Sequence, residues 1–422
     1  MSLKISYRTL ENYICAIAGI LSMNPYFIWP TFMNGVLAYV AYAIYLFSAA
    51  LMIRRGGRLR KKGVVGVLLF CFIFILTYLH SFSGIAITTL LGGASLFLYL
   101  ITFCCLKAED QKKIFQAFVK VFVISLIPGL IYYVLELMGI SLSIGRICSQ
   151  NQLTYANSAE YFSGQSTGYY KLYVGAVLRV NTNTRFAGIY DEAGLVGTVA
   201  ALCLSAMHMD IKGNKWARWL LLFAIMSFSL GGYLLILIYF ILSSLRKKQW
   251  KLLAILAFVT VGGYLLLTVN TNVEMIKTLQ SRIQFSGTSI TIKNNRETSQ
   301  FNMGYAQFLN GNLIRKLFGF GRGAAAENVY MNGSSSYKCS VFNYGYLGFG
   351  LMIFEIVYLY RAYLQKIWKQ HWAQFVLIAL FLVSVYQRPS VYFPYYFIIL
   401  YGGAAYLSDY KEKCERSREI CK

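Results

Sequence analysis

The chain has 422 residues, of which 57% are hydrophobic and 13% charged, and its mean hydropathy is +0.53. A soluble fold of this length is not so apolar, which excludes a water-soluble globular protein. The formal charge of +24 does not point to nucleic acid, because the basic residues fall in short clusters between apolar runs, as they do in the cytoplasmic loops of membrane proteins.

Runs of about 20 apolar residues are what a spanning helix needs, and they recur along the whole chain. The N-terminus lacks a short apolar stretch followed by a small-residue cleavage site, so no removable signal peptide is expected. The first spans are expected at Leu10–Ile28 and Phe32–Ile53, before the dense basic run Arg54–Lys62. Val64–His80, Gly84–Leu106 and Ile114–Met138 follow. After a polar stretch come Glu192–Met209, a hairpin of Trp216–Phe228 and Gly231–Leu245, and then Trp250–Val269. Val341–Tyr360, Ala373–Tyr386 and Val391–Leu407 complete the set, the last two flanking Arg388-Pro389.

With both termini inside, this gives about twelve transmembrane helices, and the basic clusters all fall on one side. The expected fold is all-α: one integral membrane domain over residues 1–422, with a basic cytoplasmic tail at 408–422. Two large outer segments, 139–190 and 270–339, face each other across the bundle. They hold Arg146, Lys171, Arg179 and Arg185 on one side and, on the other, cations that include Arg296, Arg322 and Lys338. Far fewer carboxylates accompany them, and an outward surface with that balance suggests an anionic ligand.

Several features have ordinary readings. The nine cysteines form no C-x-x-C pair, and Cys15, Cys71, Cys104, Cys105 and Cys203 lie in apolar runs, so neither zinc nor thioredoxin chemistry is suggested. Cys148 and Cys339 share the predicted outer side and are either a pair or two thiols. The glycines of Gly319-Phe-Gly-Arg-Gly323 follow no βαβ unit and read as a turn with Arg322 exposed. Phe301, Tyr305, Phe308 and Leu309 recur at helical spacing, which fits a helix on the membrane surface or one packed on neighbouring spans. The tyrosines of the first outer segment, Tyr190 among them, either face sugar rings or sit at the membrane interface. Lys120, Glu136 and Glu355 are expected near span ends, leaving nothing ionisable near the midplane, which weighs against an ion-coupled transporter.

The stretch Asn183–Gly197, NTRFAGIYDEAGLVG, joins the polar segment to the sixth span. Asp191 and Glu192 open that span where the helix dipole favours carboxylates, and capping alone accounts for Asp191. Arg185 is repelled by the same dipole, so it pairs with one of them or awaits an anion.

At these residues the sequence resembles the Wzy-type oligosaccharide repeat-unit polymerases, which belong with the O-antigen ligases. The resemblance rests on Arg185-Phe-Ala-Gly188 followed by Glu192-Ala-Gly194, then on Arg296, Phe318-Gly-Phe-Gly321 and Gly345-Tyr-Leu-Gly348. It covers roughly Arg185–Phe354. Ala193 stands where the family usually has proline, and Gly231-Gly232 lack the arginine often found at that hairpin. The resemblance implies a membrane glycosyltransferase of GT-C type, joining undecaprenyl-diphosphate-linked repeat units at the outer face of the bacterial plasma membrane, with no cofactor or metal. Arg185, Glu192 and, in reserve, Asp191 would carry the chemistry, and Arg296, Arg322, Lys338 and Tyr190 would hold the substrate. Membrane lipids, a chain-length regulator and a flippase would be its partners. The alternatives are an O-antigen ligase and a non-enzymatic flippase or exporter of the same lipid-linked glycan.

Overall fold

A computed structural model describes residues 6–57, 61–79, 87–148, 169–179, 185–251, 253–258, 262, 283–286, 289–292, 297, 299–331, 336–363, 372–389 and 391–408. Its helices are, in chain order, α1 (Tyr7–Leu21), α2 (Val36–Arg55), α3 (Lys61–Leu79), α4 (Ile87–Cys105) and α5 (Ala108–Leu137). They continue as α6 (Ala193–Ala206), α7 (Lys215–Met226), α8 (Leu230–Lys247), α9 (Ser299–Leu309), α10 (Leu313–Phe318) and α11 (Ala324–Glu327). The last are α12 (Tyr337–Tyr363), α13 (Trp372–Val385) and α14 (Pro394–Phe397), which runs on into a π turn at Ile398–Gly402. Val36–Arg55, Ala108–Leu137, Leu230–Lys247 and Tyr337–Ala362 are long and apolar enough to cross a membrane, and several shorter apolar helices pack beside them. The chain is a mostly helical, membrane-embedded protein. The ninth expected span lies largely outside the described residues, of which 253–258 are helical.

The mostly helical expectation holds, but the fold is not purely α: five short strands lie among the described residues. In the first polar segment β1 (Gly145–Cys148), β2 (Tyr169–Tyr173) and β3 (Ala176–Arg179) form an antiparallel sheet. Val174-Gly175 closes the β2–β3 hairpin in two residues, with Gly175 at φ 76°, a conformation that glycine reaches at little cost. Glu136, at the end of α5, fixes the sheet by accepting hydrogen bonds from Lys171 at 2.7 Å and from the Tyr173 hydroxyl. In the second polar segment β4 (Ile283–Ser286) and β5 (Ser289–Ile292) form a separate hairpin.

The middle of the structure is α6. Every residue from Leu195 to Ala206 is buried, so the helix is apolar around its whole circumference, as a helix enclosed by others must be. It packs on α7, α8 and α13, while α1 packs on α5, α2 on α4 and α3 on α12. At one end of the bundle Arg55 and Arg54 both donate to the buried Glu11, and Arg55 also donates to Asn12 at 2.7 Å. The start of the basic run therefore anchors α1 to α2.

Packing decides between the two readings of the helix over 301–309 and changes the expectation for Glu355. The helix α9 lies on the protein: Phe301, Tyr305 and Phe308 are buried in a satellite core with Met331, Val341 and Phe342, while Leu309 is exposed. Glu355 does not reach an interface; it is fully buried within α12.

The helix α12 breaks at Gly345, where φ is 68°. A Cβ there would lie 2.1 Å from the Leu317 carbonyl oxygen, and one on Gly319 would lie 2.4 Å from the Asn343 oxygen. The backbones of the two glycine motifs therefore touch, tied also by hydrogen bonds from Phe320 N to Phe342 O at 2.9 Å and from Gly321 N to Asn343 O at 2.8 Å. Gly345→Ala is expected to cost at least about 1–3 kcal/mol through the strained backbone alone, and to lower the folded fraction in detergent. Gly350→Ala, in the same helix with open space around it, should be neutral or slightly stabilising. Size-exclusion profiles and thermal unfolding of the two variants check the contrast.

Candidate functional site at the mouth of helix α6

The segment leading into α6 is stitched down on several sides. Phe186 N donates to Met226 O at 3.1 Å, Val177 N to Gly188 O at 2.9 Å and Tyr26 N to Ile189 O at 2.8 Å. The Tyr170 hydroxyl donates to the Asp191 carbonyl. Gly188 has φ 65°, and a Cβ on it would lie 2.4 Å from Leu126 Cδ2, while one on Gly129 would lie 2.7 Å from the Gly188 Cα. The Arg-x-x-Gly spacing thus has a local cause: Gly188 allows the chain to turn closely against α5.

Glu192 is the N-cap residue of α6, yet its side chain makes no capping hydrogen bond. Its carboxylate accepts instead from Arg388 Nη2, across 196 residues of sequence. Arg388 is 14% exposed and Glu192 45%, so the pair sits at a surface with its cation end enclosed. Around it, glycines bring three elements into contact. A Cβ on Gly194 would lie 3.1 Å from Arg388 Nη2 and 3.9 Å from Ser229 Oγ. On Gly197 it would meet Ser227 Oγ and Ser229 Cβ at 2.5 Å, and on Gly231 it would meet Gln387 Oε1 at 2.4 Å. Ser229 caps α8, accepting from Gly232 N at 3.2 Å.

Arg185 is half-buried at the same place, its Nε donating to the Ser227 carbonyl at 3.4 Å. Asp191 is half-buried beside the pair. Burial first, and the neighbouring Glu192 charge second, raise its carboxyl above the ordinary range; Arg388 and a hydrogen bond with Asn24 act in the opposite sense. The site thus gathers two guanidinium groups, two carboxylates and two serines at the N-terminal end of a buried helix, an arrangement suited to holding an anion beside a proton acceptor.

The other expected site residues are placed as follows. Tyr190 is fully buried, its hydroxyl 3.3 Å from that of Ser125, and it packs beneath the site. Lys338, in the first turn of α12, donates to Glu297 at 2.7 Å and lies over the Tyr305 ring at 5.4 Å. Arg322 follows the α10 turn and is half-buried, with Nη1 enclosed, where the sequence suggests an exposed side chain. Arg296 lies outside the described residues. Cys148 and Cys339 remain thiols. The second polar segment meets the site loop through Tyr337, whose N donates to the Tyr386 carbonyl at 3.2 Å. Lys338 and Arg388 are one and two residues from that contact.

Arg388, Gln387 and the Ser227–Ser229 turn are the residues that sequence reasoning misses. The signal for Arg388 is an arginine beside a proline between two apolar runs. The signal for the turn is Ser-Leu-Gly-Gly at a hairpin that lacks its own cation. No protein-family model, curated protein or solved structure matches the chain.

A carboxyl whose pKa is higher folded than unfolded keeps a proton that the unfolded chain has released. Stability therefore falls as pH rises from the ordinary carboxyl range to the raised value. Asp191→Asn removes that slope. The variant should unfold at the wild-type temperature in acid and at a higher temperature above the raised pKa. Thermal unfolding followed by tryptophan fluorescence across pH checks this, and an Asn variant weaker than wild type at alkaline pH would contradict the assignment.

Proposed function

We propose that the chain is an oligosaccharide repeat-unit polymerase of the Wzy type, a twelve-span membrane glycosyltransferase of GT-C type in the bacterial plasma membrane with both termini cytoplasmic. The supporting observation is the Glu192–Arg388 pair at the mouth of α6, with Arg185 and Asp191 beside it. In this reading the site faces outward and takes an undecaprenyl-diphosphate-linked glycan.

The bond from the donor sugar C1 to the diphosphate oxygen breaks, and its electron pair leaves with the diphosphate. The acceptor sugar hydroxyl forms the new bond to C1 and gives its proton to a carboxylate. Arg185 and Arg388 offset the charge that develops on the leaving group; guanidinium forks match phosphate oxygens better than an ammonium does. Glu192 holds the Arg388 guanidinium in place. Asp191 is assigned as the base, because a carboxyl with a raised pKa takes a proton more readily near neutral pH than one ion-paired to arginine. Lys338 and Arg322, on the neighbouring segment, bind the remainder of the anionic donor.

Losing one donor to a developing anion costs about 10²–10³ in rate. Arg388→Lys and Arg185→Lys keep the charge but lose the fork, and Asp191→Asn loses the base. Each should shorten the surface polymer sharply at normal membrane abundance, leaving single repeats attached. Normal polymer length in all three would retire the reading. For orientation, a thiol at Val174, which is 70% exposed in the β2–β3 turn, should label from outside intact cells, and one at Lys113 should not.

A second reading, a non-enzymatic exporter of the same lipid-linked glycan, is favoured by the carboxyl buried at Glu355, since ionisable groups inside membrane helices mark ion and proton pathways. Loss of an exporter abolishes single repeats, whereas loss of a polymerase leaves them.

A further inference from the structure

We propose that Glu355 is a proton-binding site inside the membrane-embedded part of the chain, and that its bound proton fastens α12 to the segment carrying Arg388. The proposal holds whether the chain polymerises or exports.

Glu355 lies in the apolar stretch Tyr337–Ala362 and is 0% exposed. It stands ten residues beyond the break at Gly345 and eight before the helix ends at Tyr363, so it is within the helix and not at its rim. Its Oε2 accepts a hydrogen bond from the Tyr392 hydroxyl at 3.2 Å, while Oε1 has no hydrogen-bond partner among the described residues. None of the described Lys, Arg or His side chains forms an ion pair with it.

The groups that face it are neutral. Cys71 comes from α3, Cys104 from α4, and Tyr392 from the segment before α14, with Tyr344 of α12 beyond it. Tyr401, from the π turn, faces Tyr360. The charges on α10 and α11 belong to elements at the level of the Gly345 break, about 15 Å of helix away at 1.5 Å per residue.

A carboxylate so fully buried loses its hydration with no described basic side chain to offset the loss, and the charge is removed by binding a proton. Tyr392 donates to Oε2, which leaves Oε1 as the seat of that proton. The Tyr392 ring is itself held between Phe70 and Phe74, at 5.6 and 5.4 Å. Releasing the proton therefore requires water or a cation to reach Oε1, which means loosening the packing that encloses Glu355, that of α12 on α3 and on the Tyr392 segment included. Tyr392 is four residues from Arg388, so the proton and the α6 site act on one short loop.

The test uses the full chain in lipid nanodiscs and the apolar reagent N,N′-dicyclohexylcarbodiimide. The acid proton passes to a carbodiimide nitrogen and the carboxyl oxygen bonds to the central carbon. The adduct rearranges to an N-acylurea with nothing lost, so the peptide gains the whole reagent mass. Glu355 should be modified at neutral and mildly alkaline pH, and a water-soluble carbodiimide should not reach it. The infrared difference between wild type and Glu355→Gln should show the carbonyl band of a protonated acid, and Tyr392→Phe should shift that band to higher frequency if the Gln variant does not accumulate. Hydrogen exchange across Tyr386–Tyr392 should rise several-fold in Glu355→Ala and stay near wild type in Glu355→Gln. A carboxylate band in place of the acid band would overturn proton binding, as would protection from the reagent by sodium ions at constant pH. Equal exchange in wild type and both Glu355 variants would overturn the fastening.

Discussion

A helix enclosed on every side must still satisfy the backbone groups left over at its ends, and the arrangement of this molecule follows from how α6 deals with its N-terminal end. Asp191 and Glu192 stand there, where the dipole accepts negative charge. Capping is not what Glu192 does, since its side chain leaves the backbone donors and reaches Arg388. That contact joins the sixth helical segment to the turn between α13 and α14. The enclosed side of the pair belongs to the arginine, which loses hydration and gains a carboxylate in exchange. Removing either partner leaves the other in a place built for two, which is why such pairs cost more to break than to replace.

The pair can form only because three segments of the chain approach closely, and glycine is what permits the approach. Gly194, Gly197, Gly231 and Gly232 each stand where a methyl group would strike a neighbouring atom, in the last case the Gly197 backbone at 2.9 Å. Small residues let helix backbones come together inside a membrane, where the usual gain from burying apolar surface between helices is absent. The same device recurs at Gly319 and Gly345, which bring the α10 turn against the kink of α12. Through Tyr337 and Tyr386 that second glycine contact is linked to the first. Loop geometry and site geometry are thus a single packing problem.

Much of this was legible in the sequence, and the part that was not has a physical cause. Apolar run lengths place most helices to within a few residues, because burial or lipid contact imposes the same demand on every span. The seam Arg185–Gly197 stands out because charge at a helix mouth needs a reason. Arg388 escapes notice because its partner is 196 residues away, and no local period links distant segments. The β1–β3 sheet is missed for a related reason: its strands are four or five residues long, and their pairing is set by a two-residue turn and by Glu136 on another element. Tyr190 is the opposite case. Its type suits a sugar-binding surface, but its ring, one residue before Asp191, is fully buried.

The treatment of buried carboxylates separates two kinds of site. Glu11, Glu136 and Glu297 are each well enclosed, and each meets a basic side chain within hydrogen-bonding distance. These pairs secure α1 to α2, the sheet to α5, and the start of α12 to the residues before α9. Their charges are fixed because both partners are present. Asp191 and Glu355 differ. Burial first, and the neighbouring Glu192 charge second, make the Asp191 carboxyl hold its proton more tightly, against the pull of Arg388. Glu355 has a tyrosine hydroxyl and, among the described residues, no basic side chain paired with it. Where burial outweighs the attraction of nearby cations, a carboxyl keeps its proton, and protons, unlike side chains, can leave. These two carboxyls are therefore where this chain can change state without unfolding, and both meet the loop that carries Arg388, Asp191 through Arg388 itself and Glu355 through Tyr392.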